Sequence, residues 1–248
     1  MKKIIILFVA LFMQYSLIQA QEETKQETKK KANLAVKVIQ NSVAGFSPLF
    51  VGSFETNKNF DITFYSMFWT NTSFGNVNSG SDQLLETGMG LGFKAADNKL
   101  YLNPGIGLAH GKFFSTLEGT QIAEAVIPNF FLAYHDNIFD IEGYVAYYKS
   151  IRDRETIDTR DLFLLWAAPG VNISKRVVVG AFFEELAFMN LENKTVGNKN
   201  TQVYRFLGPS VKLKLDNGMA FRFSGGANLV SDVGASDEFY KVSAFIPF

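Results

Sequence analysis

The chain has 248 residues, 24 basic against 24 acidic, and not one cysteine. The balanced charge removes the electrostatic footprint of a nucleic-acid binder. The missing thiol excludes a disulfide framework, a thiolate nucleophile, a cysteine metal cluster and lipid attachment through cysteine.

The opening, MKKIIILFVALFMQYSLIQA, combines two lysines, an apolar run from Ile4 to Leu11, and Ala20 ahead of a polar segment. This predicts a secretory signal peptide over 1–20. Gln14, Tyr15 and Ser16 interrupt the apolar run well short of the ~18–20 residues a spanning helix needs. Residues 21–32, beginning QEETKQETKKK, hold too little apolar surface to offset the entropy of ordering and read as a disordered charged linker. Residues 33–248 contain no other linker and read as one domain.

Past residue 59 one theme repeats: about ten residues with every second position apolar, then a break. That is the period of a strand with two unlike faces. NFDITFYSMFWT sets Phe60, Ile62, Phe64 and Phe68 against Asp61, Thr63, Tyr65, Met67 and Trp69. ETGMGLGF strips one face to Gly88, Gly90 and Gly92 and keeps Met89, Leu91 and Phe93 on the other. LYLNPGIGLAHG opposes Leu100, Leu102, Ile106 and Leu108 to Tyr101, Asn103, Gly105 and Gly107. IFDIEGYVAYY opposes Phe139, Ile141, Val145 and Tyr147 to Asp140, Glu142, Tyr144 and Tyr148. MAFRFSGGANLV puts Phe221 and Phe223 opposite Arg222 and Ser224.

Eleven such runs can be marked, at 44–55, 59–70, 84–95, 99–110, 121–134, 138–149, 161–173, 176–189, 201–215, 219–231 and 238–248. Single-chain bacterial barrels have even strand numbers, and NLAVKVIQ (33–40) is the segment able to supply a twelfth. The same segment could instead form a short helix plugging the lumen. The breaks alternate. Short ones at 56, 96, 135, 174 and 216 carry Asn, Asp, Gly and Lys turn chemistry; long ones start at 71, 111, 150, 190 and 231. One short-turn end and one long-loop end is the asymmetry of an outer-membrane barrel.

The chain ends YKVSAFIPF, with Tyr240, Val242, Ala244, Ile246 and Phe248 on one face. This resembles the C-terminal strand signal of bacterial outer-membrane barrels. The wider chain resembles an uncharacterised barrel family of Bacteroidota and, in size and hairpin count, twelve-stranded nucleoside-channel-type barrels. The resemblance implies an all-β, transmembrane antiparallel up-and-down β-barrel in the outer membrane. It also implies contact with outer-membrane lipid and recognition by the barrel-assembly machinery through the last strand. It transfers no site residues.

The candidate lumen lining is then Tyr65, Trp69, Glu86, Gly88, Gly90, Gly92, Lys94, Asp140, Glu142, Tyr144, Tyr148, Glu184, Lys212, Lys214 and Arg222, with Lys241 beside them. Glycine in a strand marks a bend or a close approach. The bare strip therefore predicts strong curvature, filling by bulky residues opposite (Tyr65, Trp69, Phe131, Phe163 and Phe182), or a path cleared for a solute. The inward charges nearly balance, so no strongly ion-selective field is expected. The acidic and basic sets either face each other across an open pore or cross-link and seal it.

Catalysis finds little support. His110 and His135 lie near opposite ends of the predicted barrel, no serine stands two residues from either, and no serine elbow occurs. Two distant histidines cannot share one metal. The sequence therefore predicts a narrow channel for passive uptake of small solutes, without cofactor and without a nucleic-acid partner. The alternative is a sealed structural or adhesive barrel working through its external loops. A barrel lipid hydrolase is the weakest reading.

Overall fold

The computed structural model describes residues 32–56, 60–70, 83–114, 121–152, 159–192, 199–230 and 236–248. The segment read as signal peptide lies outside them, and so does the segment read as linker except Ala32, which begins the first strand instead of ending the linker. Twelve strands follow in chain order: β1 (Ala32–Asn41), β2 (Gly45–Glu55), β3 (Phe60–Trp69), β4 (Leu84–Ala95), β5 (Leu100–Gly111) and β6 (Gln121–His135), then β7 (Phe139–Ser150), β8 (Thr159–Asn172), β9 (Val177–Glu192), β10 (Lys199–Lys214), β11 (Ala220–Asn228) and β12 (Glu238–Pro247). Each pairs antiparallel with the next, and β1 pairs with β12, so the sheet closes on itself and leaves no edge.

β1 is a wall strand, not a plug. It pairs with β2 from Ala32↔Phe54 to Asn41↔Gly45 and with β12 from Ala35↔Pro247 to Asn41↔Lys241. The turn joining β1 to β2 is tight because the Asn41 side-chain oxygen accepts the Val43 and Ala44 amides at 2.8 and 2.5 Å. At the other end, Ala96, Asp97 and Asn98 all adopt positive φ, and Gly218 does so at 83°. Asp136 receives the Ile138 and Phe139 amides there, and the Phe139 bond above all holds its carboxyl below the ordinary aspartate range. Asp and Asn suit such turns because their side chains bond neighbouring backbone.

The alternation predicted for the strands resolves into an apolar outside and a mixed inside. Met89 is 62 % exposed and Ile106 55 %, with Phe64, Leu91, Leu108, Leu213 and Phe223 also on the outer surface. Such a surface suits lipid, not water. Inside, a cluster including Phe114, Tyr148, Leu186, Tyr204 and Phe206 occupies the long-loop half together with the buried carboxyls of Glu86 and Glu124, while Asp140, Glu142, Lys212, Lys214 and the amides of Asn103 and Asn129 lie toward the short turns. One expected interior residue moves out. Phe163 pairs with Tyr147 on the outer face, while Leu162 and Leu164 turn inward and are buried. β8 therefore contributes the even-numbered side chains to the lumen.

Candidate functional site

The glycine strip is not bare. Tyr65 on β3 lies across Gly88 of β4 and Gly107 of β5; a Cβ on Gly88 would stand 2.6 Å from Tyr65 Cζ, and one on Gly107 3.2 Å away. Tyr101 covers Gly92, the Asn103 oxygen sits 2.7 Å from where a Gly90 Cβ would be, and the Asn129 oxygen 2.8 Å from that of Gly105. The side chains are missing so that two rings and two amides can lie flat on the wall. The cover comes from neighbouring strands rather than from across the barrel, which corrects the expectation of filling from the opposite side. The polar groups satisfy one another, as burial demands. Asn103 Nδ2 donates to Thr63 Oγ1 and Tyr101 OH, both at 2.9 Å, and Asn129 Nδ2 donates to Tyr65 OH at 3.1 Å.

The charged wall is built by a second small-residue floor. Ala168, Gly170, Val178 and Gly180 on β8 and β9 underlie an arch of ion pairs from β7 to β10 and β11. Asp140 accepts Lys212 Nζ at 2.9 Å and Lys214 Nζ at 3.3 Å, with His135 Nδ1 3.3 Å away. Glu142 accepts Lys212 at 2.6 Å and Arg222 at 3.0 Å. The space beneath the arch takes about one water. Lys94 pairs with Asp61 at 3.2 Å nearer the short-turn mouth, where the lysine is 47 % exposed. Glu184 takes Tyr204 OH at 2.9 Å and also pairs with Lys241. The acidic and basic groups thus cross-link.

Glu86 stands apart: its bonds come from Tyr65 OH at 2.9 Å, Trp69 Nε1 at 3.2 Å and Tyr148 OH at 2.9 Å, all neutral donors. Because Tyr148 belongs to β7, this carboxyl ties the glycine side of the barrel to the charged side. Tyr144, from the same strand, stacks on Trp166 at 6.2 Å.

Three features escaped the sequence reading. Phe113 and Phe114, expected in an external loop, fold into the barrel and are buried. The fully buried Glu124 carboxylate accepts both their amides at 2.7–3.0 Å, and Arg160 donates to Phe113 O at 2.6 Å while stacking on the Phe113 and Phe188 rings. Phe114 stacks on Tyr148 at 5.7 Å. The signal missed was an aromatic pair inside an otherwise polar break. Second, Asn103 and Asn129 carry the polar cover of the glycine wall. Third, Lys37 faces the lumen, its Nζ 5.3 Å from the Trp166 ring centre. The alternation of Leu34, Val36 and Val38 already implied that orientation.

The two histidines lie at opposite ends. His110 Nδ1 accepts the Ala123 amide at 3.1 Å and its Nε2 lies 3.3 Å from Thr87, whereas His135 joins the Asp140 network. Among the described residues no three His, Asp or Glu side chains are grouped to hold a metal ion.

This architecture recurs among solved barrels. The chain superposes on the COG4313 outer membrane channel from Pseudomonas putida F1 with TM-score 0.55 and 8 % identity, covering 91 % of this chain and 100 % of that one. The NanC porin gives TM-score 0.49 and 10 % identity over 86 % of this chain and 98 % of the other. The first likeness establishes the fold, a closed barrel of the outer-membrane type. No curated protein matches the sequence. The model of a family described as being of unknown function, DUF6733, matches residues 1–248, and the chain belongs to that family.

Proposed function

We propose that the protein is exported by its signal peptide, enters the outer membrane through recognition of its last strand, and forms a narrow channel for small solutes. The carrying observation is the state of the inward side chains in the short-turn half and middle of the barrel. Lys37, Tyr65, Asn103, Asn129, Tyr144 and Trp166 all face inward and all retain exposed surface. A lumen lined in this way is wet, and its amides and hydroxyls offer hydrogen bonds to a passing solute. Toward the long loops this lining gives way to the buried Phe113 and Phe114 rings, which narrow the proposed path there.

One observation favours a second reading, the sealed barrel. Phe182, Tyr204, Phe206 and Phe239 join Phe114 and Tyr148 in one apolar cluster, with the Phe206 and Phe239 rings 4.5 Å apart. The external loops on which an adhesive role would depend include segments outside the described residues.

Planar-bilayer recording of the full mature chain separates the two. The channel reading expects small unitary steps that grow several-fold when Phe113 and Phe114 are both changed to Ala. A folded barrel, shown by faster gel migration before boiling, that conducts in neither form would establish the sealed barrel instead.

A further inference from the structure

Most inward cations of the charged wall have carboxylate partners. Lys212 and Lys214 hold Asp140, Arg222 holds Glu142, and Lys241 holds Glu184. Lys37 differs. Among the described residues its ammonium has no ion pair and no hydrogen bond; its one close partner is the face of Trp166. Its charged surroundings are Glu142 together with Arg222, Lys241 and Lys212. Glu142 is already held by Lys212 and Arg222, Asp140 by Lys212 and Lys214, and Glu184 by Lys241, so each of these carboxylates is committed to another cation. An ammonium in that setting, partly exposed to the lumen, is short of an anion.

The surface beside it has a definite chemistry. Trp166 contacts Tyr144 and Phe131, from the two strands beside β8 on one side, at 6.2 and 6.1 Å between ring centres, and Phe131 contacts Tyr101 at 6.3 Å. These four rings keep part of their surface exposed to the interior. They form an aromatic strip that begins at Lys37 and runs toward the glycine wall. Such a strip receives a flat apolar group by stacking, and the ammonium at its end receives a carboxylate through a charge-assisted hydrogen bond.

We propose that Lys37 anchors a binding site in the lumen for a small monocarboxylate with a flat aromatic body. The carboxylate pairs with the Lys37 ammonium, and the ring lies along Trp166 and Phe131. The anchor replaces a cation–π contact with a full ion pair, so the neutral amide of the same shape binds far less well. The proposal rests on the channel reading only in that the ligand must reach the lumen.

The test uses the full mature chain folded in detergent, with benzoate as probe and benzamide as its uncharged counterpart. Binding is followed by the change in tryptophan fluorescence, to which Trp166 at the site and the buried Trp69 both contribute. Benzoate should bind at least tenfold more tightly than benzamide. Lys37→Gln should weaken benzoate at least tenfold, Lys37→Arg should stay within about threefold of the wild type, and Arg176→Gln in the exposed turn between β8 and β9 should change nothing. Gel migration before boiling establishes that each variant is folded. Equal affinity for benzoate and benzamide, no benzoate binding, or an unaltered Lys37→Gln protein overturns the site. The channel reading fails separately: Lys37-dependent benzoate binding in a barrel that never conducts keeps the site and removes the path. Conductance without any benzoate preference does the reverse.

Discussion

The two walls of this barrel solve one problem in two ways. On β3–β6, glycines at 88, 90, 92, 105 and 107 make room for Tyr65, Tyr101, Asn103 and Asn129, which bond to neighbours along the sheet. On β8 and β9, Ala168, Gly170 and Gly180 line the space beneath lysine–carboxylate pairs reaching from β10 to β7, and a Cβ on either glycine would meet Val178 or strand backbone rather than the charged groups. Only the first wall gives up side chains so that larger ones can lie flat on it. The first is held by shape and neutral hydrogen bonds, the second by charges whose partners come from strands that are not adjacent. A neutral inlay fails when its socket is filled; an ionic arch fails when one partner is removed.

The largest effect should come from the arch. Lys212→Met leaves Asp140, 3 % exposed, and Glu142 short of their shared cation. Breaking a buried pair in this way typically costs 3–5 kcal/mol; with Lys214 and Arg222 still present, about 3 kcal/mol is expected in a urea unfolding titration of the reconstituted barrel. A loss under about 1 kcal/mol would mean the arch is hydrated and the walls do not differ as described.

The glycine wall comes next. Gly88→Leu must displace the Tyr65 ring and should cost about 1–3 kcal/mol by overpacking. Gly90→Leu should behave similarly, because its Cβ would meet Pro104 O at 2.6 Å. The sharper measurement is the double variant Tyr65→Ala with Gly88→Leu. Once the ring is gone only the Ile106 carbonyl, 2.8 Å from the Cβ position, still crowds the leucine, so the two changes should be less than additive by about 1 kcal/mol, within the range of directly contacting residues. Strict additivity would show that Tyr65 is not the reason for the glycine.

Two small effects mark the edges of the comparison. Lys94 and Asp61 pair at the mouth with the lysine half exposed, so Lys94→Gln should cost no more than about 1 kcal/mol. Gly143 faces out, and a Cβ there would meet Leu132 and the Trp166 carbonyl only at 3.6 Å. Gly143→Ala should therefore stay within about 0.5 kcal/mol in the same titration, which a socket glycine would not.

Reading and structure diverge at identifiable residues. Phe163 was placed inside, yet β8 enters its ladder with Leu162 and Leu164 inward. In a run as apolar on both faces as DLFLLWAAPG, period 2 does not say which set faces in. Phe113 and Phe114 lie in a polar break, and their burial depends on Glu124 and Arg160, which come from other strands. Lys37 could have been assigned from its neighbours in β1, but its lack of a partner could not. That property depends on where Glu142 and Arg222 stand across the barrel.

Alternation, turn chemistry and the lengths of the breaks determined the strands, the facing of those with two unlike faces, and the short-turn end, because these are local consequences of a two-residue period. Twelve strands followed from the parity of a closed barrel once NLAVKVIQ was admitted to the wall. Only the tertiary structure decided what the glycines are for, which charges meet, and which cation is left over. Those outcomes depend on the closing of β1 onto β12 and on side chains tens of residues apart reaching a shared interior. No local pattern encodes such distances, since each inward residue meets its partner only through the curvature of the whole sheet.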